Sequence, residues 1–291
     1  MKKVLPTIIL ICFFLVGLSL LLYPSVSNWW NSLHASQAIV DYDAARKGLT
    51  EADYTALFQA AERYNAEISQ IDFPLMYHEQ VAGYEQMLDV DGSGIMGYIT
   101  IPKIQVQLPI YHGTSEGILQ KGVGHLTGSS LPIGGAGHHA VLSAHRGLPS
   151  AKLFTDLDRM QLGDRFTLMI LGRELIYEID QILTVKPQEV EALYPNEGED
   201  HCTLITCTPY GVNSHRLLVR GRRVEAEEIP AVIPSDAALL PHYTAAPLLA
   251  LPFLLILAMI AAISMKRRKA YEKNRLAAGL GLAAGTACHG P

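Results

Sequence analysis

The sequence predicts a mainly β protein: a closed β-barrel with short helices, preceded by a helical segment and flanked by two transmembrane helices. Three observations lead there. An apolar run stands near each end of the 291 residues, the stretch after the first repeats apolar residues at helical spacing, and short β-type runs broken by Gly and Asp turns fill most of the rest.

Lys2 and Lys3 precede an apolar stretch from Val4 to Tyr23, and a second stretch, Tyr243 to Met265, closes on Lys266-Arg267-Arg268-Lys269. A hydrocarbon core needs about 20 such residues. Basic residues flank the outer end of each span, so the positive-inside bias puts both termini in the cytoplasm and residues 24–242 outside. A cleaved secretory leader is the competing reading of the first span. Against it, the run exceeds an h-region of about 7 to 15 residues, and no small-x-small site comes before Trp29-Trp30, a pair suited to a membrane interface. For the second span, length and the basic stop argue against a buried core helix, and Pro247 and Pro252 kink it without excluding it.

The expected organisation is a span over 1–23, an external helical segment over 24–90, the barrel over 91–228, a linker over 229–242, the second span over 243–265 and a cytoplasmic tail over 266–291. Between Ser36 and Ser69, Tyr54, Leu57, Phe58, Ala61, Tyr64 and Ile68 recur at helical spacing. Gly48 fits a helix C-terminus, and Thr50 with Asp53 resembles a capping pair, so the segment reads as a helical hairpin or stalk. After Asp91-Gly92-Ser93-Gly94 the expected strands are Met96–Ile101, Val106–Tyr111, His139–Ser143, Arg165–Leu171, Glu174–Leu183, His201–Cys207 and Arg216–Val224, forming a largely antiparallel sheet. Short helices fit around Ser115–Gln120 and Lys152–Met160.

A formal net charge of −5 gives no support to a nucleic-acid partner. Internal repeats and metal-type Cys/His spacings are absent from the sequence, and no cofactor is expected. Of four cysteines, Cys12 lies in the first span and Cys288 in the tail, leaving Cys202 and Cys207 outside. In one extended strand their α-carbons stand roughly 16 Å apart, beyond the ~7 Å of a disulfide, and an odd offset turns them to opposite faces. Cys202 reads as a small buried hydrophobe.

Cys207 ends an apolar strand, a Thr208-Pro209-Tyr210-Gly211 turn follows, and Arg216 opens the next strand. That arrangement displays a thiol beside a fixed cation. A thiol of pKa about 8.5 needs a base or a stabilised thiolate to attack at neutral pH. His145, in the loop after the strand Ala140-Val141-Leu142-Ser143, is the best-placed base, with His138, His139 and His215 competing. Arg216 suits an oxyanion donor. Arg220, on the same strand face but roughly 13 Å further along, is too distant to replace it.

These features together resemble the sortases, membrane-anchored cysteine transpeptidases of Gram-positive bacteria. The resemblance rests on Thr203-Leu204-Ile205-Thr206-Cys207 as a TLxTC strand, on the upstream Ser143-Ala144-His145-Arg146-Gly147, and on Arg216 opening the next strand; it covers Met96 to Val224. The second span, the long helical segment and the continuation Thr208 to Arg216 are similar to the pilin-polymerising class C branch. The resemblance implies Cys207 as nucleophile, His145 as general acid/base and Arg216 as oxyanion stabiliser. It also implies pilin or surface-protein partners carrying LPxTG-like sorting signals, and a Lys amine of another pilin, or a cell-wall precursor, as acceptor.

Class C sortases commonly carry a lid with an Asp-Pro-aromatic motif. Here the region reads Asp72-Phe73-Pro74, with proline and aromatic exchanged, and Asp72 and Phe73 are the expected lid residues. Anchoring of surface proteins and a non-catalytic scaffold are the alternatives. A papain-like hydrolase is disfavoured because its Cys precedes its His.

Overall fold

The computed structural model describes residues 5–225, with three isolated helical positions, Ile256, Met259 and Ile263. Apart from those positions, the expected linker, second span and cytoplasmic tail lie outside the described residues. Helix α1 (Leu5–Lys47) passes through Pro24 without interruption. Its N-terminal part is apolar and unburied, and α1 is the one helix among the described residues long and apolar enough to cross a membrane. Further along its character changes. Ala35, Ile39 and Tyr42, four and three residues apart, are buried, so the helix continues as an amphipathic strap across the barrel.

Tyr42 fixes that strap: its hydroxyl donates to Met96 O (3.1 Å) and accepts from Leu171 N (2.9 Å). Burial pushes its phenol up to about 12. Gly48 follows the last residue of α1, and α2 (Glu51–Ile68) opens with the expected capping box, in which Thr50 and Asp53 bond each other's backbone N–H. Phe58, Ala61, Tyr64 and Ile68 bury one face of α2. A third, four-residue helix, α3 (Pro74–Tyr77), precedes the barrel.

The strands are β1 (Ile95–Ile101), β2 (Val106–His112), β3 (Val123–His125), β4 (His138–Ser143), β5 (Arg165–Ile170), β6 (Arg173–Val185), β7 (Asp200–Thr208) and β8 (His215–Val224). They close in the order β1-β2-β3-β4-β7-β8-β6-β5. Pairing is antiparallel except for β2 with β3 and β4 with β7. Helix α4 (Glu116–Leu119) lies in the crossover between parallel β2 and β3, where a short helix was expected.

Two local expectations need correcting. Strand β3 was not anticipated, because Val-Gly-His is too short for any periodicity; a side chain at Gly124 would strike the Gly113 carbonyl and come within 3.1 Å of Leu119, so the strand exists through packing. Lys152–Met160 holds only a single 3-10 turn, Leu157–Arg159. Lys152 N is taken by Asn28 Oδ1 of α1 at 2.7 Å and Leu153 sits at φ +40°, outside helical space.

Side-chain alternation on β7 organises the interior. Cys202 and Leu204 enter the main core, whereas Ile205 faces outward into a second apolar cluster with Val141, Leu193 and Leu218. That outer cluster becomes the floor of a cleft.

Candidate active site

The exit of β4, the end of β7 and the start of β8 meet at one end of three neighbouring strands. Cys207 has the parity of Ile205 and therefore faces out, as expected from its odd offset from Cys202. Arg216 is its direct antiparallel partner, about 5 Å away between α-carbons. On the other side, β4 runs parallel with Ser143 opposite Ile205, and Ala144 N still bonds Ile205 O at 3.1 Å. His145 thus emerges beside Cys207 without belonging to the ladder, and Thr206 Oγ1 donating to Ala144 O (2.9 Å) holds the exit of β4 against β7.

His145, Cys207 and Arg216 line one cleft of about 450 Å³ whose floor is Leu126, Val190, Leu193, Ile205 and Leu218. Lys186 and Glu189 stand on its rim. The Arg216 guanidinium donates to Asn213 O (3.2 Å) and His215 O (3.1 Å), and among the described residues no carboxylate pairs with it. It is a fixed positive charge beside the thiol. Arg220, by contrast, is bound by Asp180 through two hydrogen bonds of 3.0 and 2.7 Å.

The competing histidines are engaged elsewhere. His139 is buried, its ring between Tyr194 O and Thr203 Oγ1, and burial lowers its pKa to about 4. His138 bonds Gly134 O, and His215 contacts Ser214. Only His145 lines the cleft.

Two contributors were not visible in the sequence. Nε2 of His145 lies 3.2 Å from both carboxylate oxygens of Glu116 on α4. Hydrogen bonds from Gln120 and then from His145 hold the Glu116 carboxyl below its usual range. Nothing in the local pattern signals a contact across 29 residues. The second is Leu75, which lines the cleft and packs on the outer cluster. Phe73 N-caps α3 in the left-handed region (φ 57°) and is 63% exposed. Asp72 is exposed, and neither it nor Phe73 lines the cleft. Gly128, at φ +91°, lets the segment approach: a Cβ there would lie 2.8 Å from Leu75 Cα.

The arrangement suits acyl transfer: a thiol, an imidazole and a guanidinium share a cleft with an apolar floor. No group of His, Cys, Asp and Glu that could hold a metal occurs among the described residues.

A sortase domain family model matches residues 99–224. Sortase D of Bacillus subtilis (strain 168) is 31% identical over 131 residues, 44% of this chain and 63% of the relative; sortase A of Bacillus anthracis is 30% identical over 132 residues, 45% and 61%. The matches thus span about six-tenths of the length of these curated relatives. Among solved structures, sortase C1 from Streptococcus agalactiae aligns with a TM-score of 0.62 and 48% identity over 66% of this chain and 100% of that one. Sortase C-1 from Streptococcus pneumoniae aligns with 0.60 and 41%, over 66% and 100%.

Proposed function

This chain belongs to the sortase family, with class C structural neighbours, and we propose that it is a membrane-anchored cysteine transpeptidase that polymerises pilin subunits. The observation that carries the reading is that His145, just beyond β4, Cys207 on β7 and Arg216 on β8 line one cleft with an apolar floor. In this reaction His145 takes the Cys207 proton, the sulfur attacks the Thr carbonyl of an LPxTG-like signal, and Arg216 holds the oxyanion of the tetrahedral intermediate. Collapse breaks the Thr–Gly bond, His145 gives a proton to the departing Gly amine, and a thioester remains. A Lys amine of a second pilin then attacks the thioester, passes its proton to His145 and expels the thiolate, leaving an isopeptide bond. The apolar floor receives the Leu and Pro of the signal and keeps water from the thioester.

The similarity to sortase C1 of a Streptococcus agalactiae pilus island favours pilin as partner over a cell-wall precursor. The segment from Asp72 to Leu75 acts as a lid over the cleft, with Leu75 as its apolar plug. The apolar part of α1 anchors the enzyme, and the run Tyr243 to Met265 provides a second span, with the barrel outside and both termini cytoplasmic. Mixing the full-length enzyme in detergent with a pilin that carries a sorting signal and an acceptor Lys tests the pilus reading. It predicts a high-mass ladder that disappears when the pilin Lys is replaced. Transfer to a cell-wall precursor amine with no ladder would replace it by anchoring of single proteins.

A further inference from the structure

Resting on that reading of the site, we propose that Glu116 is a positioning residue for His145: its carboxylate accepts the Nε2–H and so leaves Nδ1 to take the Cys207 proton. An ionised carboxylate only accepts hydrogen bonds, so the nitrogen 3.2 Å from both its oxygens must be the donor. A neutral imidazole carries one N–H, and the lone pair therefore resides on Nδ1. Among the described residues, Nδ1 of His145 has no hydrogen-bond partner, and the ring lines the same cleft as the thiol.

The carboxylate is itself held. Gln120 Nε2 donates to Glu116 Oε1 at 2.8 Å, and α4 is tied to the cleft wall through Leu119. Other charged groups near the ring are engaged or face elsewhere. Arg146 is paired with Asp158, Arg216 bonds backbone carbonyls, and Lys186 and Glu189 lie on the opposite rim after β6. When the thiol proton reaches Nδ1, both ring nitrogens become donors, and Glu116 then balances the imidazolium charge. Glu116 touches neither substrate nor the reacting sulfur; it acts through the ring.

The test uses the full-length protein in detergent and does not depend on turnover. Nitrogen-15 spectra of the histidine rings, with His145 assigned by difference from His145→Gln, read the tautomer directly. The wild type is expected to protonate Nε2, and Glu116→Ala to give a mixture of tautomers. In parallel, alkylation of Cys207 by iodoacetamide at pH 7 is expected to slow about fivefold in Glu116→Ala, the size of one exposed charge-assisted hydrogen bond. Glu116→Asp should recover part of the rate, and Gln120→Ala, which spares the contact with His145, should change it far less. A wild-type ring protonated on Nδ1 overturns the proposal, and that measurement needs no variant to fold. So does a Glu116→Ala protein of unchanged melting temperature, tautomer and alkylation rate. If sorting peptides form no thioester yet these results hold, the transpeptidase reading fails and the positioning role stands.

Discussion

Cys207 and Arg216 face each other because the residue pairs at that end of β7 and β8 are in register, so the proposed oxyanion donor is aligned by the backbone ladder. In the proposed reaction Arg216→Ala removes one donor that strengthens in the transition state and should lower kcat by about 100-fold, near 3 kcal/mol, with a smaller effect on peptide KM. Arg216→Lys should recover little, since an ammonium lacks the planar fork. Steady-state kinetics with a sorting peptide decide this, and an unchanged kcat in Arg216→Ala would remove the residue from the mechanism. The meeting of Cys207 and Arg216 was legible in the sequence because strand parity and turn residues are local, whereas His145 was separated from His138, His139 and His215 only by the fold, which brings it alone of the four to the cleft. Glu116 was not legible, because its contact with His145 depends on where the β2–β3 crossover folds, which no local pattern encodes.

The proposed lid segment joins two elements through a few contacts: Leu75 on the outer cluster and Pro74–Leu75 against Gly128. Leu75→Ala removes the apolar plug, and cysteine alkylation should then accelerate several-fold; equal rates in wild type and variant would show that the segment does not cover the thiol. Asp72→Ala tests the polar end of the same segment by the same assay. The strap is held differently. Tyr42→Phe leaves the buried Met96 carbonyl and Leu171 N–H without their partner and should cost about 1–3 kcal/mol, read as a lower melting temperature. Elements with a strong period, α2 with its capping box and the long strands, were readable before folding. The three-residue β3 and the irregular stretch after Lys152 were not, since Gly124 packing and the Asn28 contact of α1 determine them.

Of the four histidines buried among the described residues, His112, His125, His139 and His201, two are lowered furthest: His125, between Tyr84 Oη and Ser130 O, and His139, between Thr203 Oγ1 and Tyr194 O. Burial lowers each to about 4, below the ordinary value of 6.5. The unfolded chain therefore binds protons between pH 6.5 and 4 that the folded chain refuses. Stability is fully present above pH 6.5 and falls as pH drops toward 4, by roughly 3 kcal/mol for each histidine. Melting temperatures recorded from pH 7.5 to 4 should decline across that window, and a flat profile would contradict neutral burial of the two rings.

The proposed chemistry requires that the thiol at the end of β7 carry an acyl group. Intact-mass analysis of the full-length protein in detergent, incubated with LPxTG-type peptides beside a Cys207→Ala variant, measures this directly. The expected result is a mass increase on the wild type equal to the peptide up to its Thr, absent from Cys207→Ala and removed by an added amine. An unmodified wild-type protein whose Cys207 still alkylates readily, across the peptides tried, would contradict it.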